Sequence, residues 1–268
     1  MSTLAVTPDV RTTRRSQPSL PRIYLLEAKL EFLKLWRMPA FAIPTLVFPV
    51  LFYAFFGLTF KAPGSFSMAT YLVATYGAFG VIGASLFGFG VGVAVERGQG
   101  WMLLKRASPM PPGAYFAAKI AMSLLFGSLI IAMLYALGAL FGGVELSASA
   151  WALLATVHVL GALPFCAMGL ALGYFAGPNS APAIVNVIYL PMAFLSGLWI
   201  PIQVLPELVQ GIARFLPAYH FGQLALKVIG ADQGDPVSQH VAYLVGLTVL
   251  SLLLARLGLR RDQDQTYG

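Results

Sequence analysis

Residues 70–95 read TYLVATYGAFGVIGASLFGFGVGVAV and contain no charged side chain. A helix of roughly 20 apolar residues is long enough to cross the ~30 Å hydrocarbon core of a bilayer. The stretch therefore predicts a membrane-spanning helix. Five more apolar runs surround it, at residues 39–60, 114–141, 150–176, 181–200 and 238–258.

The composition of the whole chain agrees with six spans. Of its 268 residues, 58% are hydrophobic and 10% are charged, whereas a soluble domain usually carries about 25% charged residues. Helices are expected because a lipid-exposed backbone must satisfy its own hydrogen bonds. We predict an all-α membrane protein with six transmembrane helices at 22–258, a disordered basic N-terminus at 1–21 and a cytoplasmic tail at 259–268.

Lysines and arginines are distributed unevenly between the two sides of these spans. Fourteen fall on the side of the termini and three on the other side, and the positive-inside rule then places both termini in the cytoplasm. The formal net charge of +7 follows from this topology, so we expect no nucleic-acid partner. The three basic residues on the outward side are Lys61, Arg214 and Lys227.

The segment before the first span is amphipathic. Glu27, Glu31 and Lys34 form a polar row at helical spacing within residues 23–37, while Lys29 falls off that row. The apolar positions include Leu26, Leu30, Leu33 and Trp36. This pattern predicts an interfacial helix whose polar row faces water. The alternative is a plain cytoplasmic extension of the first span.

A charged island follows the second span, at residues 96–112, ERGQGWMLLKRASPMPP. Gly98 and Gly100 can turn the chain, residues 101–106 can form a short helix, and the prolines end it. Such a helix could transmit a push from a docked partner into the two adjoining spans. A solvated loop that obeys the positive-inside rule is the alternative.

An unusual outward segment lies between the last two predicted spans, at residues 194–217, FLSGLWIPIQVLPELVQGIARFLP. Its second part, residues 204–217, is apolar, too short to cross a membrane and bounded by prolines. Apolar segments of this length are candidates for re-entrant or interfacial helices. A loop with hydrophobic residues is the alternative.

The motifs that are missing restrict the function. No lysine precedes Ser or Thr, so the sequence lacks a P-loop, and it contains no H-E-x-x-H metal motif. Acidic residues lie outside the apolar runs or at their edges, although ion-driven carriers usually hold ionisable groups inside the bundle. We therefore expect a membrane pathway without catalytic residues, metal or cofactor of its own, driven by an external energy source.

Two other functions are compatible with parts of the sequence. A channel or ion-driven secondary carrier could line a polar path with His158, Asn186 and Tyr189. An intramembrane hydrolase could pair Ser196 with His240, although Phe194 stands where such enzymes have glycine.

Three segments resemble the transmembrane subunit of ABC transporters of the ABC-2 (type V exporter) class. The opening is similar to the family's R-N-P…P…F-G pattern, with Met38 in place of Asn, through Arg37, Pro39, Pro49 and Phe56-Gly57. The island is similar to the E-R-x-x-G…T-P coupling helix, with Ser108 in place of Thr, through Glu96, Arg97, Gly100, Ser108, Pro109, Tyr115 and Lys119. The outward segment is similar to F-L-S-G…P…L-P…L-P…R, with Lys227 in place of Arg, through Phe194–Gly197, Pro201, Pro206 and Pro217.

The resemblance implies a homo- or heterodimer of permease subunits in the bacterial cytoplasmic (inner) membrane. Two cytoplasmic ATPase subunits, which bind ATP-Mg, would dock on the coupling helix and drive export. The implied ATPase-coupling residues are Glu96, Arg97, Gly100, Lys105, Arg106, Ser108 and Pro109. The implied residues of the outward gate are Ser196, Gly197, Pro201, Pro206 and Pro217.

Overall fold

The structure is a computed structural model that describes residues 19–59, 67–108 and 110–267; the side chains of Arg106, Pro112 and residues 263–267 are not part of the description. Within these residues the chain is helical and forms no strand. The helices are α1 (Leu20–Trp36), α2 (Pro39–Phe52), α3 (Met68–Ser85), α4 (Gly92–Gly98), α5 (Trp101–Ala107), α6 (Pro112–Phe141), α7 (Ala148–Phe175), α8 (Ala181–Leu195), α9 (Glu207–Ala213), α10 (Pro217–Val228) and α11 (Val237–Tyr267).

Five of the predicted spans correspond to helices that are long and apolar enough to cross a membrane. They are Pro39–Gly57, Met68–Gly98, Gly113–Phe141, Ala148–Phe175 and Val237–Asp262. The run at 181–200 forms the shorter α8, whose 15 residues extend about 22 Å at ~1.5 Å per residue. Proline begins several of the helices, including α2 and α10, because its missing N–H has no intrahelical partner in the first turn anyway.

The second span is the centre of the bundle. It runs from α3 into α4 through a π-helical turn at Leu86–Val91. Of the residues in its most apolar 18-residue stretch, 78% are buried, against 22% in the corresponding stretches of Pro39–Gly57 and Val237–Asp262. It packs against α2, α6, α7, α8 and α10. The outer helices therefore present apolar side chains away from the protein, as expected in a bilayer.

Small residues on α7 allow its close approach to the central helix. A Cβ atom added at Gly169 would lie 3.1 Å from the Ser85 carbonyl oxygen, and one at Gly173 would lie 2.9 Å from the Gly90 carbonyl oxygen. The four-residue spacing of Gly169 and Gly173 in the sequence is compatible with internal packing or with a dimer contact. The structure assigns both positions to internal packing on the π-helical turn.

The orientation predicted for the amphipathic helix was wrong. In α1 the polar row faces the protein, where Glu31 is 5% exposed, while Leu26 and Leu30 on the other face are 54% and 53% exposed. The physical reason is that lysines of α5 and α6 pair with the carboxylates of α1. The helix begins at Leu20, just inside the segment predicted to be disordered, and the rest of that prediction, at residues 1–18, lies outside the described residues.

Candidate functional site

The island folds into a short helix that projects apolar side chains. Gly100 turns the chain with φ 74°, a conformation that favours glycine, and α5 follows at once. Ser108 ends the helix, and its hydroxyl donates to the Lys105 carbonyl oxygen at 2.7 Å. Trp101 and Leu104 are 51% and 70% exposed, so α5 offers an apolar surface to a partner. Pro109 lies outside the described residues.

Beneath α5, four charged side chains form a compact cluster between three helices. Lys119 of α6 is fully buried, and its Nζ lies 2.6 Å from Glu31 Oε1 of α1 and 3.1 Å from Glu96 Oε1 of α4. Lys34 of α1 bonds Glu31 at 2.7 Å and also pairs with Glu96. Tyr115 donates its hydroxyl proton to Glu96 Oε2 at 2.6 Å. We call Glu31, Lys34, Glu96 and Lys119 the charge cluster.

The charge cluster is balanced, since two carboxylates face two ammonium groups. Burial alone would lower the pKa of Lys34, but the carboxylates of Glu96 and Glu31 outweigh it and raise the pKa above its ordinary value. Removing one partner from a buried ion pair leaves an uncompensated charge and costs about 3–5 kcal/mol. The cluster therefore ties α1 to α4 and α6 as one unit.

A second contact joins α5 to the same unit. Lys105 pairs with Glu27 of α1, and its Nζ lies 4.6 Å from the centre of the Tyr115 ring. Lys119 Nζ lies over the same ring at 5.2 Å. Lysine ammonium groups at such distances are attracted by the negative face of the ring. A displacement of α5 would therefore act on α1 through Glu27 and on α6 through Tyr115.

Arg97 fastens the end of α4 to two other helices. Arg97 Nη2 and Nε donate to Asp262 Oδ1 of α11 at 2.7 Å and 3.2 Å. Arg97 Nη1 donates to the Gly173 carbonyl oxygen of α7 at 2.7 Å. The donors of a planar guanidinium lie in a rigid fork and reach these two acceptors from different nitrogens, whereas an ammonium donates from a single nitrogen. Arg97 thus braces α4 within the chain.

The structure brings together part of the predicted coupling set. Glu96, Arg97 and Lys105 bind residues of this chain, and Gly100 and Ser108 bound α5. Sequence reasoning did not assign Glu27, Glu31, Lys34 and Asp262 to the site. For α1 the available signal was the row of three charged residues at helical spacing, Glu27, Glu31 and Lys34, but the pattern did not reveal their partners.

The predicted outward gate forms a series of tight turns. Gly197 follows α8 with φ 77°, and its carbonyl oxygen accepts a hydrogen bond from Tyr71 at 2.9 Å. Pro201 precedes a 3-10 turn at Ile202–Val204, Pro206 precedes α9 and Pro217 begins α10. Ser196 is buried, and its hydroxyl has no hydrogen-bond partner among the described residues. The short apolar helix predicted between the prolines is therefore present as α9.

Lys227 supports the loop that follows α10. Its Nζ donates to Asp232 Oδ2 at 2.9 Å and to the Asp235 carbonyl oxygen at 3.0 Å. These are two separate single contacts, so lysine suffices where the family has arginine. Beside this loop lies a cavity of about 360 Å³, whose lining includes Tyr71, Pro201 and Asp232.

The two rival sites do not assemble. His158 is fully buried and bonds the Ala74 carbonyl oxygen and the Tyr135 hydroxyl, both at 2.8 Å. Tyr189 donates to the Phe79 carbonyl oxygen, and Asn186 is exposed. These contacts stabilise helix packing. The hydrolase alternative needs a Ser196–His240 pair, but His240 bonds another histidine, His220.

The five long apolar helices indicate a multi-pass membrane protein, and sequence comparison places the chain in a family. The family model described as ABC-2 type transporter matches residues 25–229. The chain belongs to the ABC-2 type transporter family. It is 29% identical over 236 residues to "Putative transport permease YvfS" from Bacillus subtilis (strain 168), a match that covers 87% of this chain and 95% of that protein.

Within the described residues, no group of three or more His, Cys, Asp or Glu side chains could hold a metal ion. The resemblance inferred from the sequence motifs is confirmed by the family match, and the chain is a transport permease by family.

Proposed function

We propose that the chain is the membrane-spanning permease subunit of an ATP-driven exporter and that a separate cytoplasmic ATPase, which binds ATP-Mg, docks on α5. The observation that carries the proposal is the pairing of an exposed apolar helix with a buried charge cluster directly behind it. A partner that pushes on Trp101 and Leu104 would move α1 and α6 together, because Lys105 and the charge cluster connect them.

The predicted coupling residues then divide into two roles. Glu96 and Arg97 hold α4 against α1, α6, α7 and α11, and Lys105 joins α5 to α1. Gly100 and Ser108 set where α5 begins and ends. Arg106 and Pro109 are assigned to the coupling residues from the sequence pattern alone. The apolar face of α5 makes the contact with the ATPase.

The topology in this proposal has six spans. Helix α8, with the turns that follow it, forms the fifth span, and α9 is the re-entrant segment of the outward gate built on Ser196, Gly197, Pro201, Pro206 and Pro217. Both termini and α5 lie in the cytoplasm of a bacterium, at its inner membrane. The exposed leucines of α1 rest on the lipid surface, since apolar faces of interfacial helices bury there. Two such subunits form the transport path.

Co-purification tests the docking surface. The full chain would be tagged in its native host, extracted in mild detergent, and assayed for ATPase activity and for co-purifying P-loop proteins. Leu104→Asp places a charge on the exposed face of α5, whereas Leu208→Asp makes the same change on α9, where Leu208 is 76% exposed.

The proposal expects an ATPase with the wild-type chain and with Leu208→Asp, and its loss with Leu104→Asp. Retention of the ATPase by Leu104→Asp would contradict docking on α5. Flux in liposomes that follows an ion gradient without ATP would favour the secondary carrier instead.

A further inference from the structure

Two buried histidines on the outward side of the fold play no part in the coupling site. His220 of α10 is 3% exposed and His240 of α11 is fully buried. Their Nδ1 atoms lie 2.9 Å apart, which is hydrogen-bond distance. The pair therefore links α10 to α11 through a single proton.

The hydrogen bonds fix which nitrogen carries each proton. His220 Nε2 lies 2.9 Å from the Arg214 carbonyl oxygen, and because a carbonyl only accepts, this nitrogen must be protonated. In a neutral ring, His220 Nδ1 is then an acceptor, so His240 Nδ1 donates to it. His240 Nε2 is left as a bare acceptor, and it is buried without a partner among the described residues.

The pair holds the end of the outward segment. His220 binds the carbonyl oxygen of Arg214, directly after α9, and the ring of Tyr243 stacks on His220 with centroids 3.9 Å apart. Tyr243 also donates its hydroxyl proton to the Phe215 carbonyl oxygen at 2.5 Å. Two consecutive carbonyl groups at the end of α9 are thus bound by one stack of rings from α10 and α11.

We propose that the His220–His240 pair is a proton-sensitive latch that holds the end of α9 against α11 and releases it when the outward compartment becomes acidic. In the neutral pair, the proton on His240 Nδ1 forms the hydrogen bond to His220 Nδ1. An added proton makes a buried imidazolium, and a second would break the bond because both Nδ1 atoms would then be donors. A buried charge is costly without a paired group, so protonation favours a state in which α10 separates from α11 and the ring reaches water.

The surrounding charges do not cancel this effect. Burial lowers the pKa of His220, although the Arg214 carbonyl and Asp235 act in the opposite direction. No carboxylate is hydrogen-bonded to either imidazole among the described contacts. The other titratable or charged groups that face the pair are Tyr219, Tyr243, Lys227, Asp232 and the side chain of Arg214.

The sign of the pH dependence follows from that depressed pKa. The closed latch binds fewer protons than the open one, whose histidines have an ordinary pKa of about 6.5. The latch is therefore stable above about pH 6.5 and loses stability as the pH falls below it. For one proton, opening increases by at most about tenfold per pH unit.

Nuclear magnetic resonance of the full chain in lipid nanodiscs, with ¹⁵N-labelled histidine, tests the proton assignment. Only His158, His220 and His240 contribute signals, and His158, which is bonded at both nitrogens, is the internal reference. At pH 8 the latch requires an Nε2–H tautomer for one ring of the pair and an Nδ1–H tautomer for the other. Two Nε2–H tautomers would overturn the proposal.

Hydrogen exchange on the same sample tests the release. After correction for the intrinsic pH dependence of exchange, amides at residues 207–220 should lose protection between pH 7.5 and 5.5 in the wild-type chain. In His240→Asn the amide cannot take up a proton, and it can offer its NH2 group to a neutral His220 or its oxygen to a protonated one, so protection in this chain should change less over this range. Equal responses of the two chains would overturn the latch. Although the outward direction of the latch rests on the proposed topology, these readouts need neither ATPase nor transport, so their failure is distinct from failure of the proposed function.

Discussion

Lys119 Nζ lies 2.6 Å from Glu31 Oε1, in a place where the lysine is fully buried and the glutamate is 5% exposed. This contact joins the amphipathic helix α1 to the transmembrane helix α6. Glu96 accepts a second bond from the same lysine. The pair is therefore a direct ionic connection between α1 and α6.

Removal of the Lys119 charge should destabilise the protein strongly. Lys119→Met leaves two buried carboxylates with one lysine, and the expected loss is about 3–5 kcal/mol. The measurement is thermal unfolding in detergent. The comparison variant is Lys34→Met, which also leaves two carboxylates with one lysine, but at a position that is 35% exposed, so water can compensate and the loss should be smaller than for Lys119→Met. Equal effects of the two substitutions would contradict the role of Lys119.

Arg97→Lys should loosen the C-terminal helix without unfolding the bundle. Lysine keeps the charge but cannot serve both Asp262 and the Gly173 carbonyl oxygen in the geometry of a guanidinium. Hydrogen exchange at residues 256–267 should therefore become faster, while exchange in α3 stays slow. Unchanged protection at the end of α11 would show that the Arg97 contacts do not hold it.

Gly173→Ala should weaken the packing of α7 on the central helix. The added methyl group would lie 2.8 Å from Val93 Cβ and 2.9 Å from the Gly90 carbonyl oxygen, so one helix must shift, at a cost of about 1–3 kcal/mol. Gly246→Ala in α11 is the control, since no atom lies within 4 Å of the added group, and alanine is a better helix former by about 1 kcal/mol. Thermal unfolding should separate the two variants in opposite directions.

The loop after α10 should lose order in acid. Burial opposes ionisation of Asp232, but hydrogen bonds from Lys227 and the Gly234 amide outweigh it and lower its pKa below the ordinary 3.8. Because the folded-state pKa is depressed, this stabilisation is present above pH 3.8 and is lost as the pH falls further. Exchange at residues 229–236 should rise below that pH.

Two variants at this loop provide the comparison. Asp232→Asn should show the raised exchange already at pH 7 and no further acid response. Lys227→Arg keeps the donor and should behave as the wild-type chain. An acid response that persists in Asp232→Asn would assign it to another group.

The sequence predicted the membrane class and six spans, and five of these are long apolar helices in the structure. Apolar runs of this length are too hydrophobic for a soluble domain, so they identify the class. The sequence also predicted α5 and α9 from the prolines and glycines that bound them. The direction of α1 could not be predicted, since the partners of Glu27 and Glu31 are Lys105 and Lys119, far away in sequence. The same limit applies to Arg97, whose acceptors lie on α7 and α11.

The family motif predicted part of the candidate site. Glu96, Tyr115 and Lys119 were predicted together from the resemblance, and the structure joins them through Glu96. Their partners on α1, Glu31 and Lys34, lie outside that motif, and only the fold brings them into contact.

Cross-linking in native membranes would test the central claim most directly. Cys166 is the single cysteine, so a Cys166→Ala chain carrying Leu104→Cys has one reactive site on α5, and one carrying Leu208→Cys has its site on α9. With a photoreactive label, the account predicts that the site on α5 attaches to a P-loop ATPase identified by mass spectrometry, and that the site on α9 does not. Attachment of the ATPase to neither site, or to α9 alone, would contradict the proposed coupling surface.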